Sequence, residues 1–178
     1  MWNQLTAWKR RCRITGNQKQ ITKMIDDNYK RTITVDASPE DAYIALTTGY
    51  ANWWTRCDRE FNKVGDRIKF TFPPNFSYWT FEARILKPNR IVELRCVEAY
   101  HKITDKPDAS ETEWLGSTVR WKIKSHPEQT DIHFTHYGLT PGLDCYDVCE
   151  SGWDMFFVES LKSYLDTGVG KPHQTESK

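Results

Sequence analysis

One histidine stands out among the residues that could bind or transform a small molecule. His136 alternates with Ile132 and Phe134, so in a β-strand the three side chains lie on one face. A neutral imidazole on an apolar face could donate a hydrogen bond to a ligand carbonyl, or act as a general acid or base. We favour a structural role, in which a neighbouring side chain or helix satisfies the imidazole, over ligand contact, and ligand contact over catalysis.

The aromatic content indicates the kind of ligand. The 178 residues include eight each of Trp, Tyr and Phe, and so many Trp in one domain suggest a ring-lined cavity. The same rings could instead interdigitate into a solid core, because ring pairs commonly pack in this way. The residues predicted to line a ligand cavity are Trp53, Trp54, Phe70, Phe72, Trp79, Phe81, Trp121, Phe134, His136, Trp153 and Phe157.

Metal binding and covalent catalysis have no convincing motif. His133 and His136 point to opposite faces of a strand, and Cys145 with Cys149 makes only one pair where a zinc site needs more ligands. Cys57 follows Arg56, which could lower the thiol pKa, but such thiols are more often inert. Nucleophile-elbow, phosphate-loop and dinucleotide motifs are absent from the sequence. We therefore predict no metal, no cofactor and no catalytic residue beyond the weak candidate His136.

The charge pattern excludes several classes of partner. The net charge is +1, but residues 1–24 hold six basic and no acidic side chains, which leaves −5 for the rest. A near-neutral to acidic body argues against nucleic-acid binding. No apolar run approaches the roughly 20 residues that span a bilayer, and the N-terminus has no secretory signal. Five widely spread cysteines are typical of a reducing compartment, so we predict a cytoplasmic protein.

The length suits a single domain. The sequence divides into a basic, flexible extension (1–28), one folded domain (29–170) and a short tail (171–178). A start at Met24, or a mitochondrial-type presequence, would be alternative explanations of the acid-free N-terminal stretch.

The strand and helix signals follow a simple order. A β-rich stretch, Thr32–Val35, precedes a capped helix start at Ser38-Pro39 and a second short helix over 50–54. About six antiparallel strands follow, with clear alternation over 67–72, 77–86, 90–98, 119–123 and 132–136. Residues 99–113 form a charged loop that is either a lid or simply mobile.

A long helix closes the chain. An apolar stripe runs along it at helical spacing, and Gly168 ends it. The stripe consists of Cys149, Trp153, Phe156, Phe157, Leu161, Tyr164 and Leu165. Because a curved sheet needs its concave face covered, this helix is expected to lie in the sheet, with room for a ligand between them. The predicted fold class is α+β.

Three stretches resemble the START-like, or SRPBCC, superfamily, whose fold is the helix-grip. They are residues 33–43, which look like its opening strand and capped helix, 134–139, similar to its last strand, and 152–168, like its closing helix. The resemblance spans about residues 30–170. The subgroup it resembles is that of AHSA-like proteins, bacterial relatives of the activator of the ninety-kilodalton heat-shock chaperone's ATPase. Membership implies a hydrophobic cavity for a lipid, polyketide or other small molecule, with no defined reaction.

Three functions remain open at this point. The first is a noncatalytic binding protein for a hydrophobic or aromatic ligand, which we favour over an enzyme. The second, implied by relatives of this fold, is a polyketide cyclase or aromatase, with His136 and Tyr137 or Tyr164 as acid–base candidates. The third is a stress-response or regulatory module that binds a protein partner through the outer sheet face or the basic N-terminus. Chaperone activation is not expected, because the eukaryotic activators carry a further large domain.

Overall fold

A computed structural model describes residues 26–74, 77–103 and 105–173. Its main element is one antiparallel sheet of seven strands, which curls into a half-barrel in the order β1-β7-β6-β5-β4-β3-β2. The strands are β1 (Tyr29–Val35), β2 (Arg56–Cys57), β3 (Arg67–Phe72), β4 (Ser77–Lys87), β5 (Ile91–Tyr100), β6 (Thr118–Ser125) and β7 (Thr130–Tyr137). The predicted basic extension falls outside the described residues up to position 25.

Alternation along each strand gives the sheet its two faces. In β7, Ile132, Phe134 and His136 are buried, while the side chains between them are half-exposed. The outer face carries ion pairs between neighbouring strands, such as Arg67 with Glu82. Since the side-chain period of a strand is two, the core must lie on the concave face alone.

The first helix forms where its caps predict. Helix α1 (Pro39–Ala45) begins with a capping box, in which Ser38 Oγ accepts a hydrogen bond from Asp41 N at 3.1 Å and the Asp41 carboxylate accepts from Ser38 N at 3.3 Å. A 3₁₀ turn, Tyr50–Asn52, follows. The two short helices after β1 agree with the sequence.

The C-terminal helix lies across the concave face, as a helix-grip fold requires. It consists of α2 (Tyr146–Trp153), a π-helical segment (Asp154–Leu161) and α3 (Lys162–Thr167). Buried side chains occur at every fourth position, namely Cys145, Cys149, Trp153, Phe157 and Leu161. Four α-helical residues turn about 40° beyond a full circle, so this stripe would drift around a regular α-helix. The π-helical segment has more residues per turn, which offsets the drift and keeps the stripe facing the sheet.

Candidate functional site

An apolar pocket of about 640 Å³ lies where one end of the sheet meets the C-terminal helix. Its volume is in the range of small-molecule sites. Five parts of the chain contribute: the stretch between the 3₁₀ turn and β2, the sheet end, the loop after β5, the helix and the segment that follows the helix. The lining residues are Trp54, Phe72, Trp79, His101, Trp114, Val148, Cys149, Ser151, Gly152, Trp153, Met155, Phe156, Lys171, Pro172 and His173.

Stacked and edge-on rings form the inner wall of the pocket. Trp114 lies nearly parallel to Trp153, with ring centroids 5.8 Å apart, and its ring centroid is 4.6 Å from that of Trp79. Phe72 packs edge-on against Trp79 at 5.3 Å, and Trp54 stacks on Trp153 at 5.0 Å. The rings therefore pack against one another in the stacked and edge-on arrangements that aromatic pairs prefer.

The helix provides an open side of the pocket. Val148 and Met155 are 49% and 51% exposed although both are apolar. Between them lies Gly152, where an added Cβ would meet no heavy atom within 4 Å. Apolar surface is thus presented to solvent at the pocket mouth, and glycine leaves the space above the helix unfilled.

The segment after the helix is fixed against the domain and forms the opposite wall. Ser160 Oγ donates a hydrogen bond to Trp53 O at 2.7 Å and accepts one from Lys171 N at 2.7 Å. His173 N donates to Trp54 O at 2.7 Å. A Cβ on Gly170 would lie 2.2 Å from a backbone oxygen of residue 52, so only glycine allows this close approach. Residues 171–173, predicted as the start of a tail, therefore lie against the domain.

His136 lies in the core and does not line this pocket. Trp153 Nε1–H donates to His136 Nδ1 at 3.1 Å, which leaves the ring proton on Nε2, 2.9 Å from Ser117 Oγ. Complete burial lowers the pKa of the imidazole to about 3, so the ring is neutral at physiological pH. Both ring nitrogens therefore have hydrogen-bond partners within the protein.

The predicted ring set divides into two groups. Trp54, Phe72, Trp79 and Trp153 line the pocket together. The other rings are buried without lining it, and they pack against one another, as Trp121 stacks on Phe134 at 5.0 Å. These core rings are Trp53, Phe70, Phe81, Trp121, Phe134 and Phe157.

Two pocket residues, His101 and Trp114, lie within and directly after the charged loop over 99–113. Trp114 is buried and contacts both the sheet end and the helix, and the His101 ring lies 5.2 Å from that of Trp79. Neither residue belongs to an alternating pattern. The sequence does offer one signal for Trp114. A large ring directly after a charged loop is expected to be buried, since such a ring rarely stays in water.

Two thiols and a carboxylate lie at the start of α2. Glu113 accepts hydrogen bonds from the backbone N–H groups of Asp144 and Cys145, at 2.9 and 2.7 Å. The neighbouring Cys149 thiol lowers the pKa of Cys145 to about 7, whereas the same interaction and burial raise the pKa of Cys149. Within the described ranges, no three His, Cys, Asp or Glu side chains are grouped as metal ligands would be.

The helices of the described residues give no membrane span, because none combines sufficient length with sufficient apolar character.

A family and several solved structures are similar to this chain. The family described as "Activator of Hsp90 ATPase homolog 1-like protein" matches residues 36–166, which is well over half of the chain. No match was found among curated proteins. The solution structure of the Aha1 dimer from Colwellia psychrerythraea is 28% identical, with 80% of this chain and 98% of that chain covered and a TM-score of 0.59.

More distant structures share the fold alone. DynU16, a protein of the dynemicin biosynthetic locus, is 18% identical with a TM-score of 0.62; the match covers 82% of this chain and 49%, or about half, of DynU16. Protein CV1439 from Chromobacterium violaceum is 14% identical with a TM-score of 0.60, covering 80% of this chain and 99% of that one. With the helix-grip architecture and the match over residues 36–166, the chain belongs to the Activator of Hsp90 ATPase homolog 1-like family of the SRPBCC superfamily.

Proposed function

We infer that this protein binds a small, largely apolar ligand, and that the site is the pocket between the sheet end and the C-terminal helix. The observation that carries the proposal is the ring wall of Trp79, Trp114 and Trp153 facing an unfilled volume of about 640 Å³. Concave apolar sites with a few polar groups are the usual form of ligand sites.

The geometry of the helix supports the same function. A glycine at position 152 is unfavourable in a helix, since glycine lowers helix stability by roughly 1 kcal/mol relative to alanine. Val148 and Met155, one turn away on either side, remain about half exposed. Ligand binding would remove this apolar surface from water, which is a favourable change in free energy.

The test uses the neutral fluorescent probe 1-aminoanthracene with the wild-type protein and two variants. Gly152→Phe fills the pocket, because the new ring enters space that holds no other atom. Glu159→Phe is the matched control, since residue 159 is exposed on the same helix and outside the pocket. We expect saturable binding by the wild type, at least tenfold weaker binding by Gly152→Phe, and binding within twofold of the wild type by Glu159→Phe.

Two outcomes would overturn the proposal. One is the absence of saturable binding to the wild type by any apolar probe of this size. The other is equal affinity of Gly152→Phe and the wild type, with both variants folded by circular dichroism, which would move the binding to another surface.

The cyclase alternative has less support from the geometry. It requires an acid–base group that reaches the ligand, and His136 is enclosed by Trp153 and Ser117 outside the pocket. Tyr164 does not reach the ligand either, because it also lies outside the pocket lining. Its hydroxyl accepts a hydrogen bond from Asn52 Nδ2 at 3.1 Å.

A further inference from the structure

Among the described residues, the lining of the pocket contains one permanently charged group, the ammonium group of Lys171. The Glu113 carboxylate lies outside the lining, where it accepts hydrogen bonds from two backbone N–H groups. The lining contains no Asp or Glu, and none of the ion pairs formed within the described part of the chain includes Lys171. An anionic ligand would meet a complementary field at this site, whereas a cationic ligand would meet a repulsive one.

Two indole donors of the inner wall have no hydrogen-bond acceptor among the residues that the structure describes. In the described residues, five buried side-chain polar atoms have no hydrogen-bond partner, and three of them belong to pocket residues: Trp79 Nε1, Trp114 Nε1 and His101 Nδ1. The other two, Tyr50 Oη and Trp121 Nε1, lie in the core outside the pocket. An indole N–H can only donate, so a ligand that satisfies Trp79 and Trp114 must bring acceptor atoms.

The two pocket tryptophans are nearly enclosed by protein. Trp79 is 6% exposed and Trp114 is 5% exposed, so water has little access to their N–H groups. Trp114 Nε1 faces the Cys149 sulfur, which is only a weak acceptor. Buried donors without strong acceptors are unfavourable, so a ring movement that brings either N–H to the pocket surface, where a ligand oxygen can accept from it, breaks no strong hydrogen bond.

We propose that the ligand is an aromatic carboxylic acid, whose ring stacks on the wall of tryptophans and whose carboxylate accepts hydrogen bonds from Trp79 and Trp114 near the positive charge of Lys171. The proposal rests on the proposed function and narrows it to one chemical class. A wall made of indole rings and Phe72 favours a ligand that is itself aromatic, because aromatic rings stack on one another. A carboxylate supplies two strong acceptors and one negative charge, which matches what the lining lacks.

The experiment compares three ligands that share one ring system but differ in charge. They are 2-naphthoate, the neutral 2-naphthamide and the cationic 2-naphthylmethylamine, with dissociation constants measured by titration calorimetry at pH 7.5 and low salt. We expect 2-naphthoate to bind at least tenfold more tightly than the amide, and the amine to bind most weakly. Decanoate, an acid without a ring, should bind more weakly than 2-naphthoate.

Matched variants assign the preference to the named groups. Trp79→Phe and Trp114→Phe keep a ring but remove the N–H, and each should reduce the preference for 2-naphthoate over the amide by threefold or more. Lys171→Gln should reduce it similarly, whereas Lys122→Gln, on an exposed position of β6, should not. Circular dichroism shows whether each variant is folded, and the affinity of each variant for the amide is the reference against which its preference is calculated.

The outcomes separate this proposal from the proposed function. If all three naphthalenes bind equally, or the amine binds best, the site binds rings without recognising an acid, and only this inference fails. If decanoate binds more tightly than 2-naphthoate, the ligand is an aliphatic acid and this inference fails as well. If neither the naphthalenes nor 1-aminoanthracene binds, the proposed function itself is overturned.

Discussion

The Trp153 indole N–H donates a hydrogen bond of 3.1 Å to Nδ1 of His136, and both side chains are buried. Trp153 belongs to the C-terminal helix and also lines the pocket, whereas His136 belongs to β7. The bond therefore fixes the orientation of one pocket ring from the core side. It also fixes the histidine as the neutral Nε2–H tautomer, because Nδ1 must accept.

The first prediction concerns the dependence of stability on pH. The imidazole of His136 has an ordinary pKa of 6.5, and burial lowers it to about 3 in the folded protein. Between these values the unfolded chain binds one more proton, so stability falls as the pH drops below 6.5. We expect His136 to contribute a loss of up to about 1.4 kcal/mol per pH unit between pH 6 and 4.

Urea unfolding of the wild type and His136→Gln over this pH range measures that contribution. Glutamine keeps one acceptor and one donor but does not titrate, so the variant should show a flatter dependence. Carboxylates such as Asp66 and Asp131, whose pKa values hydrogen bonds lower, add to the acid slope of both proteins and cancel in the comparison. Parallel slopes would contradict the prediction.

The second prediction contrasts two glycines that border the pocket. Gly152→Ala should be tolerated or stabilise the protein by about 0.5–1 kcal/mol, because alanine favours a helix and its Cβ meets no atom within 4 Å. Gly170→Ala should destabilise it, since its Cβ would clash with a backbone oxygen. Thermal unfolding of the two variants and the wild type measures whether each substitution raises or lowers the stability. Limited proteolysis should cleave after residue 167 faster in Gly170→Ala, and equal cleavage rates would count against the wall formed by residues 171–173.

The third prediction concerns the ionisation of two buried thiols. Because the Cys149 thiol lowers the pKa of Cys145 to about 7, the ultraviolet thiolate absorbance that is lost in Cys145→Ala should rise with an inflection near pH 7. Cys96, with its pKa raised by burial to about 12, should contribute no thiolate absorbance in this range, and Cys96→Ala is the matched control. Difference spectra against the wild type measure both contributions. In Cys149→Ala the inflection should move to higher pH, and an unmoved inflection would exclude the thiol pair as its cause.

The fourth prediction concerns the ion pairs that join β1 to the helix. Arg31 donates to both carboxylate oxygens of Asp154, at 2.8 and 3.0 Å, and Tyr29 Oη donates to the same carboxylate at 2.6 Å. Asp154→Asn should therefore lower the free energy of unfolding by about 1–2 kcal/mol, because the pairing is bidentate although partly exposed. Asp144→Asn is the control, since its exposed pair with Lys106, at 3.6 Å, should contribute less than about 0.5 kcal/mol.

Elements with local causes could be predicted from the sequence. The start of α1 follows from Ser38, Pro39 and Asp41, which interact within four residues. Strands β3 and β7 follow from strict alternation. Strand β2 could not be located, because its two residues are too few to alternate and it exists only through pairing with β3. The π-helical segment was also beyond prediction, since helical spacing alone does not distinguish it from an α-helix.

The pocket depends on long-range placement and could be predicted only in part. Alternation identifies rings on the concave face, and Trp79 and Phe81 satisfy it equally. Only Trp79 lines the pocket, because it lies nearer the end of the sheet where Trp114 and His173 converge. Those two residues come from a loop and from the segment after the helix. A large ring beside a charged loop indicates that Trp114 is buried, but not which residues it contacts. Sequence patterns therefore predict which face of the sheet is apolar, but not which of its side chains lie in the solid core and which line the pocket.

The π-helical segment carries a consequence for how this helix can change in length. Deleting one residue there, such as the exposed Glu159, would shorten one interval of the four-residue stripe to three. An interval pattern of four, four, four and three keeps the apolar side chains on one face of an ordinary α-helix. In most helices a single deletion turns everything downstream away from the core. Here the chain already holds one residue more than an α-helix needs, and losing it would leave the helix regular and the apolar stripe still facing the sheet.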